Sequence, residues 1–284
     1  MHAISNAPVK TWLITGASSG FGRGLTETLL ARGDRVVATV RNGAVLAGLK
    51  DLHGERLSVA LLDLTDVAAV RRCVDDAFAH VGPIDIIVSN AAYAVFGAAE
   101  EASDEQVAHQ IATNLTGSIA VIRACLPHLR AQGGGRVLQV SSEGGQITYP
   151  AFSLYHATKW GIEGFVEAVA KETAPFGIAF TLVEPGPAST SFGQGLVRPA
   201  PLAAYAGTPS DLVRQAIDTG AFRIIGDPDK MVDAMIAVAD SSAPPLRLTL
   251  GSSSYESIHA ALTARRDALE AQRDIAFSTD HVLK

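Results

Sequence analysis

The stretch Thr11-Trp12-Leu13-Ile14-Thr15-Gly16-Ala17-Ser18-Ser19-Gly20-Phe21-Gly22 decides the fold. Its first five residues are apolar or β-branched and predict a short buried strand. Three glycines follow, Gly16, Gly20 and Gly22, spaced G-x-x-x-G-x-G. A helical pattern comes next, with Leu25, Leu29 and Leu30 on one stripe and Glu27 and Arg32 turned away. Glycines at such a junction allow a tight turn and let backbone N–H groups approach a pyrophosphate. The helix N-terminus adds a partial positive charge. Ser18 is placed to add a hydroxyl contact. A glycine-rich turn alone is weak evidence, since plain capped turns look the same; its place between strand and helix gives it chemical meaning.

Outward from this turn, short β-branched or apolar runs alternate with helical patterns. The runs are Thr11–Thr15, Arg35–Val40, Leu57–Leu62, Asp85–Ser89, Arg136–Ser141, Ile178–Val183 and Leu246–Leu250. Several are apolar on both faces, as in parallel strands covered by helices on both sides. The alternation predicts an α/β fold with an open, doubly wound parallel sheet of seven strands. It continues without a linker or repeat, so residues 1–284 read as one domain. Residues 186–209, rich in Gly, Pro, Ala and Ser yet carrying Phe192, Leu196, Val197, Leu202 and Tyr205, read as a substrate lid loop. Residues 252–284 read as a C-terminal extension, helical from about Tyr255 to Ile275.

Composition narrows the function classes. Charged residues make up 18% and hydrophobic residues 48%, enough for a real core. The chain carries 23 basic and 29 acidic side chains, a net charge of −6, which argues against a nucleic-acid footprint. No run of about 18 apolar residues predicts a membrane span. Met1 to Lys10 lacks the apolar stretch of a secretory signal. Cys73 and Cys125 sit in no metal-ligand or disulfide framework, which points to a reducing, cytoplasmic home. No metal is expected. The mean hydropathy of +0.21 fits a fully buried sheet.

The second strand ends Ala38-Thr39-Val40-Arg41-Asn42, with no carboxylate. An acidic residue there would bind the adenosine ribose 2′-OH of NAD, whereas an Arg accommodates a 2′-phosphate. Arg41 is permanently charged and planar, so NADP(H) is the expected cofactor.

Tyr155 and Lys159 stand four apart at the start of a helical pattern and share a face. A phenol with a pKa of about 10 is a poor base at neutral pH, and a nearby ammonium favours the phenolate. Ser142 lies thirteen residues before Tyr155, at the C-terminal edge of the sheet, where open α/β folds bind ligands. Asn114, within a long helical segment, either bends or hydrates that helix, or caps it and faces solvent. His156 lies on a different helix face from Tyr155 and reads as structural.

These residues together resemble the short-chain dehydrogenase/reductase family, in its single-domain group. The likeness covers nearly the whole chain. Thr15–Gly22 resembles the cofactor motif, and with it Thr15, Gly16, Ser18, Ser19, Gly20, Phe21 and Gly22 are implied to bind the dinucleotide. Asp63-Leu64 is similar to the segment that contacts the adenine. Asn90-Ala91-Ala92 matches the family's Asn-Asn-Ala-Gly only in part, with Ser89 for the first Asn and Ala92 for the Gly. Asn114, Ser142, Tyr155 and Lys159 match the catalytic positions in order. Pro185-Gly186 with Thr190 resembles the segment that holds the nicotinamide carboxamide. The tail resembles a retinol- and steroid-dehydrogenase subgroup.

The resemblance implies a Rossmann-type sheet of order 3-2-1-4-5-6-7 and hydride transfer between nicotinamide and a carbonyl carbon. It implies that Tyr155 donates a proton and Ser142 orients the oxygen. It implies further that Lys159 binds the nicotinamide ribose and relays the proton, and that Asn114 holds a water between Lys159 and solvent. It also implies a homodimer or homotetramer, with Ile119, Ala120, Phe165 and Ala168 as candidate seam residues.

The substrate walls expected from the loops are Tyr93, Val95 and Phe96, then Gln146, Tyr149 and Phe152, and then the lid from Phe192. Most are apolar, which points to an uncharged, apolar ketone or secondary alcohol. Glu143, beside Ser142, either points away from this pocket or selects a polar substrate. Three functions remain open: an NADPH-dependent carbonyl reductase, an epimerase or dehydratase on the same fold, and a non-enzymatic NADP sensor. Detectable NADPH oxidation with a ketone separates the first from the others.

Overall fold

The computed structural model describes residues 9–281. The segment before Val9, and the last three residues of the expected C-terminal extension, lie outside the described residues. The strands are β1 (Thr11–Thr15), β2 (Arg35–Val40), β3 (Leu57–Leu61), β4 (Ile86–Ser89), β5 (Gly135–Val140), β6 (Ile178–Pro185) and β7 (Arg247–Leu250). They form one seven-stranded parallel sheet in the order β3-β2-β1-β4-β5-β6-β7, as the resemblance implies. The helices are α1 (Gly20–Arg32), α2 (Ala47–His53), α3 (Val67–Val81), α4 (Asp104–Ile111), α5 (Ser118–Ala131), α6 (Ser153–Thr173), α7 (Pro209–Asp218), α8 (Pro228–Asp240), α9 (Ser252–Glu270) and α10 (Arg273–Ser278).

The period-two pattern of the strands divides the core into two layers. Trp12 and Ile14 of β1, Val36, Ala38 and Val40 of β2, and Ile86 and Val88 of β4 pack with Leu25, Leu29 and Leu30 of α1 and Met231, Val232 and Met235 of α8. Leu13, Val37 and Ile87, one residue out of phase, face the other layer with Val70 and Val74 of α3, Val121 and Ile122 of α5, and Ile162 and Val166 of α6. Each such side chain contributes roughly 1.5–3 kcal/mol on burial. Strands apolar on both faces thus require helices on both faces.

Two expectations shift in the structure. The crossover after β6 is longer than the lid read from sequence. It runs through residues 186–208 into α7, whose Val213 and Ile217 pack on the cluster around Tyr155. The tail is two helices rather than one. α9 starts at Ser252, three residues before the expected Tyr255, where Gly251 (φ 102°) turns the chain and Ser254 Oγ donates to Glu184 O. Its buried stripe ends at Ile258, beyond which Leu262 and Leu269 are exposed and the helix breaks before α10. No helix among the described residues is long and apolar enough to cross a membrane.

Arg247 of β7 ties the sheet edge to α6. Its guanidinium donates to Glu163 Oε2 at 2.6 Å, to Glu167 Oε1 at 2.7 Å, and to Glu184 of β6. Glu163 and Glu184 are almost fully buried. Removing the cation leaves both carboxylates without their charge partner, a change that costs several kcal/mol. We expect Arg247→Met to lower the unfolding free energy by about 3 kcal/mol or more in urea denaturation. A loss under about 1 kcal/mol would contradict the structural weight given to this network.

Candidate active site

The glycine-rich turn is held at the seam between β1 and β4, where the strand order reverses. Thr15 Oγ1 accepts from Asn90 N at 2.9 Å and from Ala91 N at 3.2 Å. The Asn90 side-chain amide donates to Thr15 O at 2.9 Å and to Gly16 O at 3.2 Å. Gly16 has φ 69°, and a Cβ there would stand 2.8 Å from Ala91. A Cβ on Gly22 would run into Gly16 O and Asn90 Nδ2. So the Asn90-Ala91 segment fixes the turn, and only glycine lets the backbone pass this close.

The resulting cradle fits a dinucleotide phosphate. Ser19 precedes α1 without placing a side-chain oxygen on its first N–H groups, and α1 has no acid in its first turn. Those donors face outward beside the exposed Ser18 and Ser19 and the half-buried Gly20 and Phe21. Thr190, from the loop after β6, comes against this turn, with its Cβ 3.7 Å from where a Cβ on Gly20 would stand. Arg41 is exposed just past β2 and makes no ion pair among the described residues. It faces Asp63 closely enough to help hold that carboxyl below its usual range. The larger causes are the Thr65 backbone N–H and hydroxyl, which both donate to Asp63 Oδ1. Leu64 is buried against Gly117.

Beyond the turn stand the residues expected to handle the proton. Asn114 is 2% exposed and sits in a π-helical turn, Ala112–Gly117, between α4 and α5. Its Oδ1 accepts from Tyr93 N at 3.1 Å, and its Nδ2 donates to Tyr93 O at 2.7 Å and to Thr158 Oγ1 at 3.3 Å. Of the alternatives left open by the sequence, it takes the helix-distorting one: π-bulges mark local departures of this kind. Ser142 is buried at the end of β5, and its Oγ accepts from Gly144 N at 3.0 Å.

Tyr155 and Lys159 rise from the first turns of α6. Lys159 is 3% exposed; its Nζ donates to Val140 O at 2.9 Å and lies 5.4 Å from the centre of the Tyr155 ring. Burial brings the Lys159 ammonium down to about 8, partly opposed by Glu163 one turn further along α6. Tyr155 is 7% exposed, within a cluster of Phe96, Phe152, Tyr149 and Phe192. Burial pushes its phenol up to about 12, partly opposed by a hydrogen bond with Ser142 and reinforced by Glu143. The sequence led us to expect the ammonium to favour the phenolate. In the protein without its ligands, loss of water around the ring is the largest influence and raises the phenol.

The expected substrate walls have unequal places. Phe96 is 1% exposed and packs against Phe152, with the Arg198 guanidinium 5.0 Å above its ring, so it stands behind the site. Tyr93 turns its hydroxyl to His109 Nδ1 at 2.7 Å. Tyr149 and Phe192 stand nearer the chemistry, Phe192 with its ring centre 5.6 Å from that of Tyr155. The lid lies down over this site: Phe96 N donates to Val197 O and Val197 N donates to Ala94 O. Pro185 and Gly186 close the far side at the end of β6.

Several supporting residues escaped the sequence reading. Glu101, its side chain fully buried, accepts from Ala98 N, Leu202 N and Arg214, pinning the lid and α7 to the loop before α4. Glu163 accepts from Ser141 Oγ at 2.5 Å and from Gln146, behind the catalytic strand end. Its spacing of four from Lys159 was the available signal. His156 is structural: Nδ1 pairs with Gly144 O and Nε2 accepts from Tyr149 N.

Comparison with known proteins places this arrangement. Residues 10–199 match the family described as short chain dehydrogenase. A curated relative, the oxidoreductase BOA17 of Botryotinia fuckeliana, is 35% identical over 252 residues, covering 87% of this chain and 90% of that protein. A short-chain dehydrogenase from Streptomyces avermitilis superposes with a TM-score of 0.88 at 35% identity, over 97% of this chain and all of that one. The 3-ketoacyl-(acyl-carrier-protein) reductase of Brucella melitensis, solved with NADH, is 26% identical with a TM-score of 0.71, over 84% of this chain and 96% of that one.

The state of Tyr155 is open to measurement. In the ligand-free protein, ultraviolet difference titration of wild type against Tyr155→Phe should show no phenolate from this residue at pH 10.5, roughly half a unit above the free phenol value. A midpoint for Tyr155 below 10 would overturn the acid assignment.

Proposed function

The chain belongs to the short-chain dehydrogenase/reductase family of oxidoreductases, and from that membership we propose that it is an NADP(H)-dependent carbonyl reductase, reversible as an alcohol dehydrogenase. One observation carries the reading: Ser142, Tyr155 and Lys159 converge at the C-terminal edge of the sheet, beside a backbone cradle shaped for phosphate. The preference for NADP rests on Arg41, which makes no ion pair among the described residues, where β2 ends without a carboxylate. The Brucella reductase holds NADH, so this preference is a property argued for this chain alone. The apolar rings around Tyr155 and the lid above them support a ketone or secondary alcohol with a bulky apolar part.

The dinucleotide, when bound across the turn and the Pro185–Thr190 loop, supplies or accepts the hydride. The chain's own groups handle the proton. Ser142 Oγ hydrogen-bonds the substrate oxygen and fixes its direction. Tyr155 Oη gives its proton to that oxygen as negative charge grows there; a phenol kept protonated by burial is suited to this step. The phenolate left behind is stabilised by the Lys159 ammonium, which Val140 O holds in place. Asn114 fixes Tyr93 and Thr158, and with them the floor beneath α6. The aromatic cluster and lid keep water from the reacting centre. A protonated Tyr155 favours reduction; oxidation requires the proton to leave first, so alcohol oxidation should rise with pH.

Tyr155→Phe should lower ketone-dependent NADPH oxidation by about 10²-fold or more while NADPH still binds, followed by absorbance at 340 nm (roughly the reduced nicotinamide band) and by fluorescence titration. Undiminished turnover would sink the assignment. Arg41→Ala should weaken NADPH binding by about ten- to a hundredfold and leave NADH binding nearly unchanged. Equal losses for both cofactors would remove the 2′-phosphate role.

A further inference from the structure

Glu143 is the only acid in the loop from Ser141 to Phe152, and it directly follows Ser142. The residue is 5% exposed, and its Oε2 is closed from solvent with no hydrogen-bond partner among the described residues. Oε2 lies 3.5 Å from where a Cβ on Gly186 would stand, and Ser253 Oγ lies 3.4 Å from the same point. The carboxyl therefore sits between the Ser142 loop and the Pro185–Gly186 loop, with the start of α9 behind it. Its charge is felt at the hydroxyls of both Tyr149 and Tyr155, the rings that border the reacting site.

Native proteins seldom bury a carboxyl oxygen without a donor. Of the nearby hydroxyls, Ser254 Oγ donates to Glu184 O, Ser141 Oγ to Glu163, and Ser142 is engaged with Gly144 and Tyr155, while Ser253 Oγ makes no hydrogen bond to Glu143 Oε2. Burial also pushes the Glu143 carboxyl up to about 7, the behaviour of an acid awaiting a partner. An apolar residue here would complete the pocket at no such cost.

We propose that Glu143 is a specificity-determining group that accepts a hydrogen bond from a hydroxyl or ammonium on the substrate, next to the reacting carbonyl. The Glu143 charge is felt at the Tyr155 hydroxyl, so a carbonyl held by Ser142 and Tyr155 brings a neighbouring polar substituent towards the same carboxyl. The favoured substrates are then α-hydroxy or α-amino ketones whose remaining part is apolar and fills the space among Tyr149, Phe152 and Phe192. This rests on the reductase reading above and narrows its substrate class.

The test compares an aryl alkyl ketone with its α-hydroxy and α-amino derivatives, using NADPH oxidation by the whole protein. Wild type should favour at least one donor-bearing ketone over the parent by about ten- to a hundredfold in kcat/KM. Glu143→Leu should bring that ratio to about one. Glu143→Gln separates the two donors, since an amide oxygen accepts from a hydroxyl but has no charge for an ammonium: it should retain preference for the hydroxyl and lose preference for the ammonium. The melting temperature of ligand-free Glu143→Leu should equal or exceed that of wild type, because an unpaired buried acid is removed. Reduction of the parent ketone by wild type with no preference for either derivative overturns this inference and leaves the reductase reading intact. A preserved ratio in Glu143→Leu, or a preserved preference for the ammonium in Glu143→Gln, assigns Glu143 a structural role and likewise overturns it. No turnover of any ketone overturns both.

Discussion

At the seam between β1 and β4, one threonine and one asparagine hold two loops at a fixed spacing. Thr15 Oγ1 takes the N–H groups of Asn90 and Ala91, and the Asn90 amide takes the carbonyls of Thr15 and Gly16. A parallel sheet whose order reverses here opens a crevice at the strand ends, and the clasp sets how the glycine turn borders it. The uncapped start of α1, Thr190 and the Tyr93 segment all border that crevice. The Ala91 backbone and Gly22 are so close to the turn that no side chain fits between them.

The same crevice is closed on its other side by apolar rings, and this sets the acid–base character of the site. Tyr155 is surrounded by Phe152, Phe192 and Tyr149, and the ammonium of Lys159 is buried with it. Loss of water disfavours charge on both. The phenol is pushed up and the ammonium down, each towards its neutral form. A cluster of aromatic side chains therefore does two things at once: it presents an apolar surface beside the crevice and it favours the protonated phenol of Tyr155. The polar support lies behind this cluster. Glu163 joins Ser141, Gln146 and Arg247 in one buried network, and through Arg247 connects the back of α6 to β6 and β7.

Glu143 stands apart from that network. Glu163 and Glu184 are buried acids with a guanidinium beside them, whereas Glu143 has none among the described residues. Three acids with similar burial thus have different physical states, and the difference is in their partners. In the sequence Glu143 is only an unusual neighbour of Ser142. Nothing in local spacing says whether its side chain turns outward to solvent or inward between two loops, because the answer depends on β6 and α9, which are distant in the chain.

What the sequence determined by itself is local and periodic. Strands such as Trp12–Ile14 and Val36–Val40 are apolar on alternate residues in both phases, so they require helices on two faces. The glycine spacing after Thr15 requires a sharp turn, and the pattern places Ser142 at a strand end, Tyr155 and Lys159 near the start of a helix, and Asn114 within a long helical segment. The tertiary structure decided what depends on residues far apart. It put Asn114 in a π-turn facing Tyr93 and Thr158, moved Phe96 behind the site, and extended the lid through α7 by way of Glu101 and Arg214. It also set the burial that raises the Tyr155 phenol. Periodicity records which face a side chain takes, but charge states depend on how much water and which partners remain after packing, and those are set only when the chain closes on itself.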